Sequence, residues 1–329
     1  MTNDPNSDAL PASAFERELR AEIDLFFADQ PSNLDKKIMT NTVRDLRLAF
    51  RLLAPLEGVR KVTIFGSART ATHDPLYEQT VRVARELASQ GWMVITGAGP
   101  GIMEAGMVGA GRENSVGVSI QLPFENEANE IIAGDDKHAS LKYFFTRKFA
   151  LTKASQAFIC MPGGFGTLDE LFELLTLTQT GKGQPVPIVL LDVPGDGYWR
   201  QVDEFVAEQM ASRGLIAGDD RSLYVTTNDA KVAAAEVTNF YSNYHSLRFV
   251  GNRLVIRMSH AIDDDALQSL NERFGHLCEA GRIDRSDPLA AEVRDDDHLD
   301  LSRLVMKFDK KSFGELRLLI DEINRATRR

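Results

Sequence analysis

The sequence predicts an α/β protein built on a doubly wound parallel sheet, with helices before it and a small α+β extension after it. Two observations carry this. Between Arg60 and about Tyr244, short apolar segments alternate with amphipathic stretches of helical length, the pattern of a parallel sheet covered on both faces. The 329 residues, 43% of them apolar and 26% charged, also suffice for about two globular units with cores of their own. The pattern divides the chain into a helical segment at 1–58, a sheet-forming region at 59–245 and an α+β region at 246–329.

Each element has its own signal. Ser13 followed by Glu16 is a capping-box signature, and Phe15, Leu19, Ile23, Phe26 and Phe27 then share a helical stripe that Pro31 ends. A second periodic segment, from Val43 to Leu53, stops before Pro55. Strands are expected at 61–65, 92–96, 116–122, 157–161, 187–191 and 222–226. Helices are expected between them at 75–90, 102–113, 138–153, 167–179 and 198–213. After Ser246 the order is strand, helix, strand, helix, at 254–258, 264–278, 303–308 and 313–326, divided by the acidic loop Asp295-Asp296-Asp297-His298. This last region carries no chemical motif and is assigned to packing or dimerisation.

Composition removes several function classes. With 38 basic and 48 acidic residues the net charge is −10, which disfavours nucleic acid and anionic membranes but leaves room for a local pocket that takes one phosphate. No stretch is apolar for the ~20 residues that a membrane span needs. The polar, acidic start from Met1 to Leu10 does not resemble a signal peptide, so the cytoplasm is the expected compartment. Cys160 and Cys278 alone make neither a disulfide framework nor a cysteine zinc site. His73, His138, His245, His260, His276 and His298 show no ligand pairing at helical spacing, so no metal is expected.

In an open parallel sheet ligands bind beyond the carboxyl ends of the strands. Three glycine-bearing turns stand there: Gly66-Ser67-Ala68-Arg69, Gly97-Ala98-Gly99-Pro100-Gly101 and Pro162-Gly163-Gly164-Phe165-Gly166-Thr167. Such turns let backbone approach a ligand and aim N–H groups at an anion, which together points to a nucleotide or sugar phosphate in a Rossmann-like fold. The dinucleotide fingerprint fails, because the first turn holds a single glycine. Walker A fails as well, because no Ser or Thr follows Lys182.

Two side chains are candidates for chemistry. Thr167 and Glu170 have capping-box spacing, and from spacing alone a structural cap is the first reading of Glu170; the other is a carboxylate at the lip of a phosphate-binding turn. Glu173, one turn on, extends that acidic face or is merely solvated. Arg147 lies in a helix running antiparallel to the strands, so its early turns reach the carboxyl edge. There a guanidinium can clamp phosphate or hold Glu170 ionised. Lys142, Lys148 and Lys153 are assigned to a solvated helix face.

The nine residues from Pro162 to Glu170 match the PGGxGTxxE motif of the lonely-guy (LOG) family, cytokinin riboside 5′-monophosphate phosphoribohydrolases long mislabelled as lysine decarboxylases. Arg147-Lys148 stands where that family has its R-K pair. The segment from Gly97 to Glu104 resembles its G-x-G-P-G-I-M-E turn, and Leu122-Pro123 with Glu125 and Asn129 resembles the strand exit of the larger members. The similarity runs from about Arg60 to Arg213. It implies hydrolysis of the N-glycosidic bond of a purine-type nucleoside 5′-monophosphate, without metal or organic cofactor, by a homodimer or larger assembly. It makes Arg147 and Glu170 the catalytic pair. It gives the phosphate to Gly163, Gly164, Gly166 and Thr167, and lines the nucleotide site with Gly66, Ser67, Gly97, Gly99, Gly101 and Glu104. Two alternatives stand beside it: a non-catalytic carrier of a nucleotide or phosphorylated cofactor, and a general AMP nucleosidase.

Overall fold

In the computed structural model, which describes residues 13–122 and 128–326, α1 (Ala14–Ala28) and α2 (Asn33–Leu53) lead into β1 (Lys61–Phe65). The chain continues through α3 (Pro75–Ser89), β2 (Met93–Thr96), α4 (Ile102–Ala110), β3 (Ser115–Ile120), β4 (His138–Leu141) and α5 (Phe144–Ala154). Next come β5 (Ala157–Cys160), α6 (Phe165–Gln179), β6 (Ile188–Leu191), α7 (Tyr198–Phe205), β7 (Val225–Thr227) and α8 (Ala230–Phe240). The last stretch forms β8 (Tyr244–Val250), β9 (Arg253–Met258), α9 (Asp264–Phe274), β10 (Cys278–Arg285), α10 (Ala290–Asp295), β11 (Ser302–Phe308) and α11 (Phe313–Ala326).

The first seven strands form one parallel sheet in the order β4-β3-β2-β1-β5-β6-β7. The order reverses direction between β1 and β5, the switch point where such sheets open a crevice. Val62 and Ile64 of β1 pack with Val83, Leu87 and Val237 on one face. On the other, Ile95 and Val118 meet Ala49, Leu52 and Leu151, while Phe158 and Leu190 meet Leu171, Leu174 and Trp199. Helices thus cover both faces, as the doubly wound prediction requires. The remaining strands form an antiparallel sheet, β10-β11-β9-β8, with a core built on Leu254, Ile256, Phe308 and Leu316.

α11 stitches the two sheets together. Asn324 Oδ1 accepts from the backbone N–H groups of Asn243 and Tyr244, and its Nδ2 donates to Phe240 O. Arg317 pairs with Glu236 of α8 and Asp321, and Ser222 Oγ donates to Gly314 O.

Several expectations are corrected. The helix expected over 138–153 is a strand followed by a shorter helix: Ala139 and Leu141 point into the core as β4 pairs with β3. Ser13 Oγ does accept from Glu16 N, so α1 forms as expected, but it buries none of its residues, and Phe15, Leu19 and Phe27 stay exposed. The helix expected over 198–213 is α7 followed by a π-helical turn at Val206–Ala211. Strands β8 and β10 and helices α8 and α10 went unanticipated. Met1 to Leu10, Pro123 and Glu125 lie outside the described residues.

Candidate active site

Backbone hydrogen bonds lace the three glycine turns together. Ser67 N donates to Pro162 O, and Ile102 N donates to Ser67 O. Gly101, at φ +67°, makes that lacing possible: a Cβ on it would lie 2.5 Å from Ser67 O, so no side chain fits. Gly163 is confined likewise, with a Cβ 2.1 Å from Thr167 Oγ1. Tyr198 Oη donates to Gly163 O at 2.7 Å and fixes the third turn from below.

α6 opens on this turn with Gly164 as its N-cap and no side-chain cap. Its first-turn N–H groups are therefore left to a ligand or water, at the positive end of the helix dipole. Cβ atoms on Gly164 or Gly166 would meet nothing within 4 Å, so both face open space. The capping box expected from Thr167 and Glu170 does not form: both lie inside α6, as its third and sixth residues.

Glu170 instead meets Arg147 from the first turn of α5. Arg147 Nη2 donates to Glu170 Oε1 at 3.1 Å, with the two side chains 13% and 14% exposed. The Arg147 guanidinium faces the Phe144 ring at 5.2 Å, and its Nε is buried without a hydrogen-bond partner. Burial pushes the Glu170 carboxyl above its ordinary range, and the pull of Arg147 only partly offsets that. Arg147 was expected to hold Glu170 ionised; its pull does act in that direction, against a larger opposing effect of burial. Lys148, expected to be solvated, bridges Asp169 at 2.9 Å and Glu173 at 2.8 Å, bracing α5 against α6.

A cavity of about 710 Å³ opens at the switch point and is lined by Gly66, Ser67, Gly97, Arg147, Gly163, Gly164, Gly166, Thr167 and Glu170. Gly99, Gly101 and Glu104 were expected at the nucleotide and do not line it. Gly101 serves the packing of the turns, and Gly99 O accepts from Asn129 Nδ2. Three of the lining residues that were not singled out from sequence shape the cavity. Phe165, 95% exposed, stands at the mouth. Met103 fills the space that a side chain on Gly97 would need. Arg69 lines the cavity with no ion-pair partner for its guanidinium among the described residues.

Asp45 was missed altogether. It is 2% exposed on α2 and accepts from Lys142 N, Tyr143 N and Thr146 Oγ1 at the start of α5. Tyr143, the N-cap of α5, supplies no side-chain bond of its own, so Asp45 caps the helix that carries Arg147. Its nearest signal is an acidic residue inside an otherwise apolar-faced helix. Among the described residues, no group of three or more His, Cys, Asp or Glu is placed to hold a metal ion, and no helix is long and apolar enough to cross a membrane.

Residues 99–237 match the family described as "Possible lysine decarboxylase". A probable cytokinin riboside 5′-monophosphate phosphoribohydrolase of Oryza sativa subsp. japonica is 27% identical over 190 residues, spanning 56% of this chain and 86% of that protein. A cytokinin riboside 5′-monophosphate phosphoribohydrolase of Arabidopsis thaliana is 24% identical over 192 residues, spanning 57% and 87%. Among solved structures, the molybdenum cofactor carrier protein of Chlamydomonas reinhardtii aligns at a TM-score of 0.38 and 19% identity, over 55% of this chain and 96% of that one. Over about half of its length, within the α/β core, this chain is similar to LOG-family proteins.

Proposed function

We propose that this chain hydrolyses the N-glycosidic bond of a purine-type nucleoside 5′-monophosphate, releasing free base and ribose 5-phosphate. The observation that carries the reading is one cavity holding both an uncapped helix N-terminus and a buried Arg147–Glu170 pair. The 5′-phosphate lies on the first turn of α6, against Gly164, Gly166 and Thr167, with Arg69 supplying a guanidinium from the opposite turn. That anchoring positions the ribose beside Glu170.

Breaking the bond to the base builds positive charge on the ribose, which the Glu170 carboxylate stabilises. A water oxygen bonds to the anomeric carbon as the bond to the base nitrogen breaks; one proton of that water ends on the base. A carboxyl raised above its ordinary range lies closer to working pH and is a stronger base for orienting and deprotonating that water. Arg147 aims it through Nη2. N6-modified, cytokinin-type nucleotides belong to the same substrate class, and the relatives' names support including them.

The test is to incubate the purified protein with AMP and with N6-prenylated AMP and measure free base by chromatography. Base is expected from at least one; a full panel of nucleoside monophosphates yielding none would sink the reading, and tight binding without turnover would return the site to a carrier role. The ratio of the two rates separates cytokinin release from general nucleotide hydrolysis. A homodimer or larger assembly in the cytoplasm goes with this reading. The exposed apolar side chains of α1 and α2, among them Phe15, Phe27, Leu34 and Val43, support association. Light scattering on the purified protein measures it, and a monomer at working concentration would refute it.

A further inference from the structure

A second cavity of about 650 Å³ lies at the other end of the same sheet, where the loop before β1 meets the antiparallel unit. Arg60, Lys153, His245 and His298 line it together with Tyr241 and Phe50. Its cations are not used up by carboxylates. The Arg60 guanidinium is half-buried, 4.2 Å from the Tyr241 ring centroid and 5.8 Å from that of Trp92, and has no hydrogen-bond or ion-pair partner among the described residues. Among the described residues Lys153 has only the Phe50 ring, at 5.9 Å. The rings of His245 and His298 stand 4.5 Å apart, edge to face, and His298 is held at φ +54°, a backbone region that favours Gly, Asn or Asp. Glu57 is the acidic residue of the lining and stands exposed.

In a chain with 48 carboxylates, most buried arginines here have found one; this cavity gathers cations that have not. A guanidinium held by aromatic faces keeps its N–H edge available, because the rings occupy its plane and not its donors. Burial holds His245 below its ordinary range, with His298, Arg60 and Arg257 adding to the effect and Asp300 opposing it. The lining therefore offers unspent positive charge, donors and two aromatic walls, in a volume ordinary for small-molecule sites.

The geometry points to a second ligand site here, taking a phosphorylated small molecule whose phosphate oxygens bind Arg60, Lys153 and the His245–His298 pair. It is separate from the candidate active site. β1 lies between Arg60 at this cavity and Gly66 at the other, and α5 carries Arg147 at its head and Lys153 at its tail. Among the described residues no histidine lines the candidate active site, so the assigned His245 and His298 ring signals report on this cavity and not on that one.

The experiment titrates inorganic pyrophosphate into the intact protein and follows the histidine ring resonances by NMR, assigned with His298→Asn, a change suited to the local backbone. The His245 and His298 signals are expected to shift saturably, in wild type and equally in Glu170→Gln, which keeps the result independent of the proposed hydrolysis. Arg60→Gln should weaken binding about tenfold or more, the loss of a charge-assisted hydrogen bond. Lys153→Gln, at an exposed position, carries the same expectation should the Arg60 variant fold poorly. Ring signals that stay fixed throughout the titration, or both variants binding as tightly as wild type, would overturn the site.

Discussion

Glu170 with Arg147 and Glu292 with Arg257 are both carboxylate–guanidinium pairs withdrawn from solvent, at 3.1 and 2.8 Å. Their surroundings differ. Glu292, fully buried in the antiparallel unit, accepts from Arg257 Nε and Nη2, takes the backbone N–H of Leu289, and lies 3.7 Å from Arg303 Nε. Arg257 also pairs with Asp297, which in turn holds Arg248. That cluster ties three arginines and two carboxylates together, and its Arg303 Nε, like Arg147 Nε, is buried without a hydrogen-bond partner. Glu170 takes one hydrogen bond from Arg147, whose Nε has no partner, and both side chains line an open cavity. A buried ion pair therefore says little about function until the space beside it is traced. Packed among other chain segments, it holds them together; beside a void, it is equipped to act on what enters.

The comparison breaks first at Glu170. Glu170→Gln keeps an acceptor for Arg147 but loses the charge, and base release should fall by about 10²–10⁴-fold. Its melting temperature should not drop. A carboxyl whose folded pKa is raised contributes stability that is full below its unfolded value and lost as pH rises through the folded one, so at neutral pH the ionised group weakens the fold. Turnover has the opposite sign and should decline as pH falls through that raised value, in a rate profile from neutral to acid pH. A flat profile would remove Glu170 from the chemistry.

Glu292→Ala tests the other side. It strands Arg257 and Arg303 in the core and should cost about 3–5 kcal/mol by urea unfolding, with turnover per folded molecule unchanged. Should turnover fall while stability holds, the two pairs would have exchanged roles. Asp45→Ala lies between them. It leaves Lys142 N, Tyr143 N and Thr146 Oγ1 without their acceptor, and should cost about 2–3 kcal/mol and also slow turnover, because the start of α5 sets where Arg147 stands. The smallest effect belongs to Gly166→Ala. With no atom near its Cβ the fold should be untouched, while the new methyl crowds the phosphate and raises KM several-fold with kcat nearly kept.

These contrasts also mark what the sequence could reveal. The glycine turns were legible because close backbone approach demands glycine, and their positions after apolar segments placed them at one edge. Arg147 was legible from helix direction alone. The place of Glu170 inside the helix was not, since a Thr and a Glu three apart mean a cap only where the helix begins at the Thr. Here Gly164 starts it three residues earlier. Asp45 acts on residues about a hundred positions away, beyond any local pattern. β10 was hidden by its polar sequence and irregular register, and β4 by a four-residue alternation running straight into a helix. Gly101 was read as a ligand contact because the demand for glycine looks the same whether a phosphate or Ser67 O is the close neighbour.

The way α11 is tied down bears on how the chain reaches its native state. Its anchors join residues far apart in sequence: Asn324 to Asn243 across 81 positions and Ser222 to Gly314 across 92. Loop-closure entropy makes such long-range docking late and slow, after the nearest-neighbour strand–helix units have consolidated. A refolding chain should pass through a species with a protected parallel sheet and unprotected α11 amides, so proteolytic survival and recovery from denaturant would be governed by the seating of this one terminal helix.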